Sequence, residues 1–238
     1  MTMPEKTVGV IGGMGPEATV EFMRRLVAAV PAHDDSDHLH VIADNNPKIP
    51  SRIRAILEGD GEDPTPVLVA MARKLEAMGA DVLTIPCNTA HYYHPAIAEA
   101  VGIPVLDMVG LSVERLDTLA PKPKQIGMLA SPAVLRVGLF DKHLTAAGYE
   151  LTPVDQDTED RLLEIIKAVK AGGASPAHRR TYEAIARKLK ENGADAFLVA
   201  CSELSLLPAP DVGSPVVDTL DVLVDATVRS ARSPNAAA

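Results

Sequence analysis

The chain has 238 residues, 47% of them apolar, and a formal net charge of −9 at pH 7, which suits a globular protein of one large or two small domains. The negative charge argues against a general nucleic-acid-binding surface, and no apolar run reaches the roughly 18 residues that a membrane helix needs. Residues 1–10 lack the apolar segment of a secretory signal, and a chain with only two cysteines is not a disulfide scaffold, so we expect a reducing cytoplasm.

Strands and helices alternate in the first half of the chain. Short apolar runs predict four strands, at residues 8–11, 40–43, 82–85 and 104–107. After a glycine-rich turn, apolar side chains recur at helical spacing: Val20, Met23, Leu26, Val27 and Val30. Pro16 suits the first position of this helix, and Gly79 ends a second helix whose apolar face includes Met71 and Leu75. Such alternation predicts a parallel sheet with helices on both faces.

The second half predicts the same alternation. Its strands lie at residues 126–129 and 196–200, and its helices at residues 134–147, 162–169, 181–190 and 220–231. The last helix extends beyond the repeated part of the chain, and we expect it to pack back on the first half. Proline-rich residues 120–123 suit a linker between the halves, and residues 233–238 are expected to form a disordered tail.

The two halves also repeat each other in sequence. GADVLTIPC at residues 79–87 matches GADAFLVAC at residues 193–201, and each stretch ends in one of the two cysteines. Weaker matches join 8–16 to 125–133 and 103–110 to 214–221. We therefore predict an α/β protein of two pseudo-symmetric domains from an internal duplication, each a parallel sheet flanked by helices. The first domain is residues 1–110 plus 216–238, and the second is 111–215.

Each cysteine follows an apolar strand and precedes polar residues. In parallel α/β sheets, ligands bind beyond the carboxyl ends of the strands, so Cys87 and Cys201 are expected to face one cleft between the halves. If a helix began there, its N-terminus would lower the thiol pKa from about 8.5 towards neutrality. The alternative interpretation is a pair of inert, buried cysteines.

Three motifs resemble the aspartate/glutamate racemase superfamily, in its branch of aspartate racemases and broad-specificity amino-acid racemases. They are GGMGPEAT at residues 12–19, PCNTAH at 86–91 and ACSEL at 200–204. The resemblance implies a cofactor-independent isomerase, often a homodimer, acting on aspartate or a related acidic amino acid. Cys87 and Cys201 would be the catalytic base and acid on opposite faces of the α-carbon, exchanging roles with the hand of the substrate.

Eight residues are candidates for substrate binding, and the resemblance implies this role for Arg52 and Lys170. The eight are Met14, Arg52, Asn88, Thr89, Ser131, Lys170, Ser202 and Glu203. Arg52 would bind the side-chain carboxylate bidentately with help from Lys170, or from Lys167 if the alignment slips by one turn. Ser202 stands where the family usually has Thr, which keeps the hydroxyl, whereas the Ser131 turn replaces one that often contains Thr. Glu203 would accept a hydrogen bond from the substrate ammonium, tune Cys201 or cap its own helix.

Other interpretations have less support. Residues 13–18 match a relaxed dinucleotide fingerprint, but Asp44 lies beyond the usual spacing of about 20 residues. The spacing of Cys87 and His91, with scattered histidines elsewhere, is not that of a zinc site, so no metal is expected. Glutamate racemase, hydantoin racemase, maleate isomerase and a non-catalytic binding protein on the same fold remain open. Redox sensing would need the two thiols within disulfide reach.

Overall fold

The computed structural model describes residues 5–233 and contains two parallel sheets. The first sheet has the order β2-β1-β3. In chain order, the strands and helices as far as residue 117 are β1 (Val8–Gly12), α1 (Pro16–Ala29), β2 (Val41–Asn45), α2 (Thr65–Ala77), β3 (Val82–Thr84), α3 (His94–Glu99) and α4 (Met108–Asp117). In this sheet Val10 of β1 lies beside Ala43 and Thr84, and the whole of β1 is buried.

The second sheet repeats this arrangement with the order β5-β4-β6-β7. The elements that follow in chain order are β4 (Gln125–Ala130), α5 (Pro132–Arg136), α6 (Asp141–Ala146), β5 (Glu150–Leu151), α7 (Gln156–Lys170), α8 (Pro176–Glu191), β6 (Ala196–Ala200), β7 (Val216–Asp218) and α9 (Thr219–Arg232). Strand β4 pairs in parallel with β5 and β6, as β1 does with β2 and β3. The predicted α/β class with two helix-flanked parallel sheets is confirmed.

Two predicted elements are wrong in detail. The strand predicted at residues 104–107 is reduced to a single parallel bridge between Leu83 and Val105, although its counterpart in the second half is the regular strand β7. The helix predicted over residues 134–147 is two short helices, α5 and α6. Gly138 lies between them with a φ of +58°, a left-handed conformation that ends α5 and that glycine adopts without a steric penalty.

The helix α1 buries only part of the face that its apolar spacing predicts, including Leu26 and, at its end, Val30. Phe22 and Leu26 are buried, whereas Val20 and Val27 are 55% and 56% exposed. The buried face packs against β1 and against α9, in a core that also contains Leu223. The expectation that the last helix packs on the first half is therefore confirmed.

The predicted domain limits stay a prediction. Strand β7 pairs with β6 in the second sheet, whereas α9, which follows it directly, contributes to the core around β1. Among residues 5–233, no helix is long and apolar enough to cross a membrane. The tail predicted at residues 233–238 lies, from residue 234 onwards, outside the described residues.

Candidate active site

Both cysteines lie at the carboxyl ends of strands that pair with the central strand of their sheet. Cys87 follows β3 after two residues, and Cys201 follows β6 directly. Both thiols are free, and their residues are only 5% and 6% exposed. They line one cavity of about 20 Å³, which we call the thiol cavity. A sheet from each half thus supplies one sulfur to the same space.

The thiol cavity brings together all ten residues that the sequence singled out. Its lining comprises Met14, Arg52, Cys87, Asn88, Thr89, Ser131, Lys170, Cys201, Ser202 and Glu203, with Ile53 and Ile166 in addition. Sequence reasoning missed the two isoleucines. Ile166 lies one helical turn before Lys170 on α7, so the helical spacing of these two residues carried a usable signal.

Asn88 presents an unused acceptor to the cavity. Its side-chain amide donates to Thr219 Oγ1 at 2.9 Å, and the Thr219 hydroxyl donates to the Val199 carbonyl, also at 2.9 Å. These bonds fix the orientation of the Asn88 amide. Its Oδ1 atom is buried and has no hydrogen-bond partner within residues 5–233. A buried acceptor without a partner costs about 1–3 kcal/mol, so this atom is suited to a ligand N–H group.

Three hydroxyl groups surround the same space. Ser202 is 1% exposed, and its Oγ finds no partner in the described part of the chain. Thr89 Oγ1 lies 3.4 Å from Ser131 Oγ. Ser131 also caps α5, because its Oγ accepts from the Val134 amide. The cavity therefore offers hydroxyl donors suited to a carboxylate.

Glu203 connects three parts of the site. Its Oε2 atom accepts from the thiol of Cys201 at 3.1 Å, and its Oε1 atom accepts from the Gly15 amide at 3.1 Å. Lys170 Nζ lies 3.4 Å from the same Oε1. Glu203 begins a short 3₁₀ turn but makes no side-chain cap there. Of its three predicted roles, the structure therefore favours contact with Cys201.

Burial raises the pKa of both thiols. For Cys201 the neighbouring Glu203 carboxylate raises the pKa further, whereas Lys170 lowers it. For Cys87 burial is again the largest effect, and Arg52 acts against it. The predicted lowering of the thiol pKa depended on a helix N-terminus at each cysteine, but the cysteines precede 3₁₀ turns, at Thr89–Tyr93 and Leu204–Leu206. Burial is the largest effect on both thiols instead.

Two cations border the thiol cavity. Arg52 donates from Nη1 to the carbonyls of Pro50 at 3.0 Å and Ile49 at 3.4 Å. Its Nε is buried and without a partner among the described residues. Lys170 ends α7, and its pKa is raised because the Glu203 carboxylate and the two sulfurs outweigh the effect of burial. Lys170 lines the cavity and Lys167 does not.

The residues that suggested a cofactor or metal make contacts within the protein. The Gly13 amide donates to Thr19 Oγ1 at 2.9 Å. His91 accepts from the Met108 amide through Nε2 at 3.1 Å, so its Nδ1–H donates to the Cys87 carbonyl at 2.9 Å. Across residues 5–233, no group of three or more His, Cys, Asp or Glu side chains is placed to hold a metal ion.

Comparison with known proteins gives consistent matches. The family model described as Asp/Glu/Hydantoin racemase matches residues 11–227. The broad-specificity amino-acid racemase RacX of Bacillus subtilis is 26% identical over 230 residues, covering 93% of this chain and 96% of the relative. The structure of Picrophilus torridus aspartate racemase is 30% identical, with a TM-score of 0.84 over 95% of this chain and 94% of that one. The structure of a putative Asp/Glu racemase from Yersinia pestis is 26% identical, with a TM-score of 0.80 over 96% of this chain and 100% of that one.

Proposed function

Because the chain belongs to the Asp/Glu/hydantoin racemase family, an amino-acid racemase family of isomerases, we propose that it interconverts the enantiomers of an acidic amino acid with two cysteines and no cofactor. The single observation that carries the proposal is the shared cavity of Cys87 and Cys201, each supplied by one of two similar sheets. Inverting an α-carbon requires proton removal on one face and proton delivery on the other. Two thiols reaching one space from opposite halves suit that requirement.

The proton transfers follow from the two sulfurs. With one enantiomer bound, the thiolate of Cys87 removes the α-proton and becomes a thiol, while the thiol of Cys201 delivers its proton to the opposite face and becomes a thiolate. The other enantiomer uses the cysteines in exchanged roles. Burial raises the pKa of both thiols, but Cys201 also donates to Glu203, so we assign the acid to Cys201. Cys87 is then the base, because Arg52 acts against the effect of burial on its pKa.

The remaining groups would lower the energy of the carbanion. A carbanion beside a carboxylate is strongly destabilised unless preorganised donors neutralise the developing charge. We place the α-carboxylate at the hydroxyls of Thr89 and Ser202, and the ammonium group at Asn88 Oδ1, which is buried and lacks a partner among the described residues. Arg52 and Lys170 would bind the side-chain carboxylate, Arg52 through its unused Nε–H. We further propose a homodimer acting in the cytoplasm.

The test is incubation of the protein with single amino acids in D₂O. Aspartate should lose its α-proton to solvent and appear as both enantiomers, without pyridoxal phosphate or added metal. Exchange of glutamate at a higher rate than aspartate would favour a glutamate racemase, whereas turnover of a hydantoin or of maleate, with neither amino acid exchanged, would assign another chemistry of the superfamily. Binding of amino acids without any exchange would mean a non-catalytic binding protein and would refute the proposal.

A further inference from the structure

Thr219 lies outside the thiol cavity but connects the segments that carry the two cysteines. It is the first residue of α9 and is fully buried, with 0% of its surface exposed. Its hydroxyl accepts from the side-chain amide of Asn88, the residue after Cys87, at 2.9 Å. The same hydroxyl donates at 2.9 Å to the carbonyl of Val199, which lies on β6 two residues before Cys201. One hydroxyl group therefore bonds to both cysteine-bearing segments.

The direction of these two bonds follows from the Val199 carbonyl. A carbonyl oxygen only accepts, so the single hydroxyl proton of Thr219 is committed to Val199. The Thr219 oxygen can then only accept, and the group that faces it must be the NH₂ group of Asn88. Since the oxygen and nitrogen of an amide are similar in shape, packing alone does not fix this choice. If the Asn88 amide were turned by 180°, two oxygens would face each other without a proton between them.

The orientation of the Asn88 amide decides what it offers to a ligand. Asn88 lines the thiol cavity. With Nδ2 bonded to Thr219, the free atom is Oδ1, which is buried and has no partner among residues 5–233. An oxygen accepts from an ammonium group, whereas an NH₂ group at the same place would direct its hydrogens against those of the ammonium.

The start of α9 is held in place independently of Asn88. Asp218 caps the helix, and its carboxylate accepts from the Ser205 hydroxyl at 2.6 Å and from Arg25 at 2.8 Å. The Thr219 hydroxyl is therefore presented from a fixed backbone. Loss of that hydroxyl should free the Asn88 amide and leave the start of the helix in place.

We infer that Thr219 is a positioning residue that keeps the oxygen of Asn88, and not its NH₂ group, directed to the ligand, and so selects ligands that carry an ammonium group. The inference rests on the proposed racemase function, in which the substrate ammonium lies at Asn88 Oδ1. It deepens that function, because it assigns the choice between an amino acid and its deamino analogue to a residue that does not touch the substrate.

The test compares aspartate with succinate, which has the same two carboxylates and no ammonium group. Thr219→Val keeps the shape and removes the hydroxyl, whereas Thr219→Ser keeps the hydroxyl. Thr227→Val is the matched control, since Thr227 is an equally buried threonine of α9 whose hydroxyl donates to the Leu223 carbonyl at 2.7 Å. Titration calorimetry measures the Kd of both ligands for each protein. If another amino acid exchanges faster than aspartate, that amino acid and its deamino analogue are compared in the same way.

The expected results are ratios of affinity. The wild-type protein should bind aspartate at least tenfold more tightly than succinate, because a hydrogen bond to a charged group is among the stronger ones. Thr219→Val should lower this preference at least fivefold, while Thr219→Ser and Thr227→Val change it less than twofold. A role of Thr219 in the fold alone would weaken the binding of both ligands equally and leave the preference unchanged.

A double-mutant cycle shows whether Thr219 acts through Asn88. Asn88→Ala removes the acceptor and should itself lower the preference for aspartate. In that background Thr219→Val should change the preference less than twofold, because the group that it positions is absent. A further fivefold loss would overturn the inference. If Thr219→Val folds poorly, Thr219→Ala takes its place in both experiments.

The outcomes separate this inference from the proposed function. If no amino acid undergoes α-proton exchange, the racemase proposal fails, but a preference for aspartate over succinate that Thr219→Val removes still supports the role of Thr219. Wild-type protein that racemises an amino acid yet binds it no better than its deamino analogue overturns the inference. An unchanged preference in folded Thr219→Val does so as well. If the protein shows no exchange and binds neither ligand, both proposals are overturned.

Discussion

The thiol of Cys201 donates a hydrogen bond to the carboxylate of Glu203, with 3.1 Å between Sγ and Oε2. Burial raises the pKa of Cys87 as well, but Arg52 and the Ala90 amide, which donates to its sulfur, act against this effect. The two cysteines lie at equivalent places in the repeated halves, but their surroundings differ in charge. The sequence duplication is therefore symmetric in its nucleophiles and asymmetric in the charged groups beside them.

Glu203→Gln tests this asymmetry through pH dependence. Catalysis needs one thiolate and one thiol, so activity falls when both sulfurs are protonated and again when both are ionised. The Glu203 anion raises the pKa of Cys201, and its removal should lower both apparent pKa values of the pair. We expect the whole profile of kcat/KM against pH to move to lower pH.

Lys170 provides the matched control, because its charge is opposite to that of Glu203. Lys170 lowers the pKa of Cys201, so Lys170→Met should move the profile to higher pH, whatever it does to the maximal rate. The pH dependence of thiol alkylation by iodoacetamide in the free protein should shift in the same two directions. Shifts of equal sign in both variants would show that Glu203 does not set the ionisation of Cys201.

Replacement of either cysteine tests the two-base mechanism. Cys87→Ala and Cys201→Ala should each abolish racemisation, because one face of the α-carbon loses its acid or base. Each variant should still exchange the α-proton of one enantiomer with D₂O and return it without inversion, and the two variants should act on opposite enantiomers. NMR of each pure enantiomer in D₂O measures this. Normal racemisation by both variants would contradict the mechanism.

How far the sequence predicted the site depended on how local each signal was. The repeated Gly-Ala-Asp motifs placed both cysteines at strand ends, and the family motifs supplied the polar residues beside them. The contact of Glu203 with Gly15 joins residues 188 positions apart, and no local pattern reports such a pairing. The direction of the thiol pKa shifts could not be read from the sequence, because burial, their largest cause, depends on side chains from both halves. Val20 and Val27 of α1 were misleading because both are exposed, and Phe22 faces the core instead.

Arg52→Ala tests the selection of acidic substrates. The net charge of −9 opposes long-range attraction of a dicarboxylate, so selection must come from short-range contacts. A desolvated Arg–carboxylate pair contributes about 2–4 kcal/mol, which predicts a loss in kcat/KM for aspartate of about 30- to 1,000-fold. Alanine and homoserine should be affected far less.

Arg54→Ala is the control for Arg52→Ala. Arg54 lies two residues away, and its exposed side chain forms an ion pair with Asp60 at 3.4 Å. Its replacement should change kcat/KM for aspartate and for alanine less than twofold, since exposed ion pairs contribute little. Equal losses on aspartate, glutamate, homoserine and alanine in Arg52→Ala would mean that Arg52 supports the fold or the α-carboxylate instead of the side chain.

Arg25 joins the two halves close to the site. From α1 it contacts Asp218 at 2.8 Å, Asp221 at 2.7 Å and Glu21 at 2.8 Å. It also donates to the carbonyl of Ser205, in the turn that follows Cys201. Burial raises the pKa of Asp218 despite this cation, so the carboxylate depends on Arg25 for its charge to be compensated. The network therefore connects the helix after the glycine-rich turn with the segment that carries the second cysteine.

Arg25→Ala should destabilise the protein by about 2–4 kcal/mol, because removing one partner of a largely buried pair leaves the other charge uncompensated. Arg24→Ala is a closely matched comparison. Arg24 is the preceding residue and binds the same Glu21 at 2.7 Å, but its side chain is 66% exposed, so its replacement should cost less than about 1 kcal/mol. Urea denaturation at pH 7 measures both free energies of unfolding. Similar losses in the two variants would show that the contacts of Arg25 with Asp218 and Ser205 do not stabilise the junction between the halves.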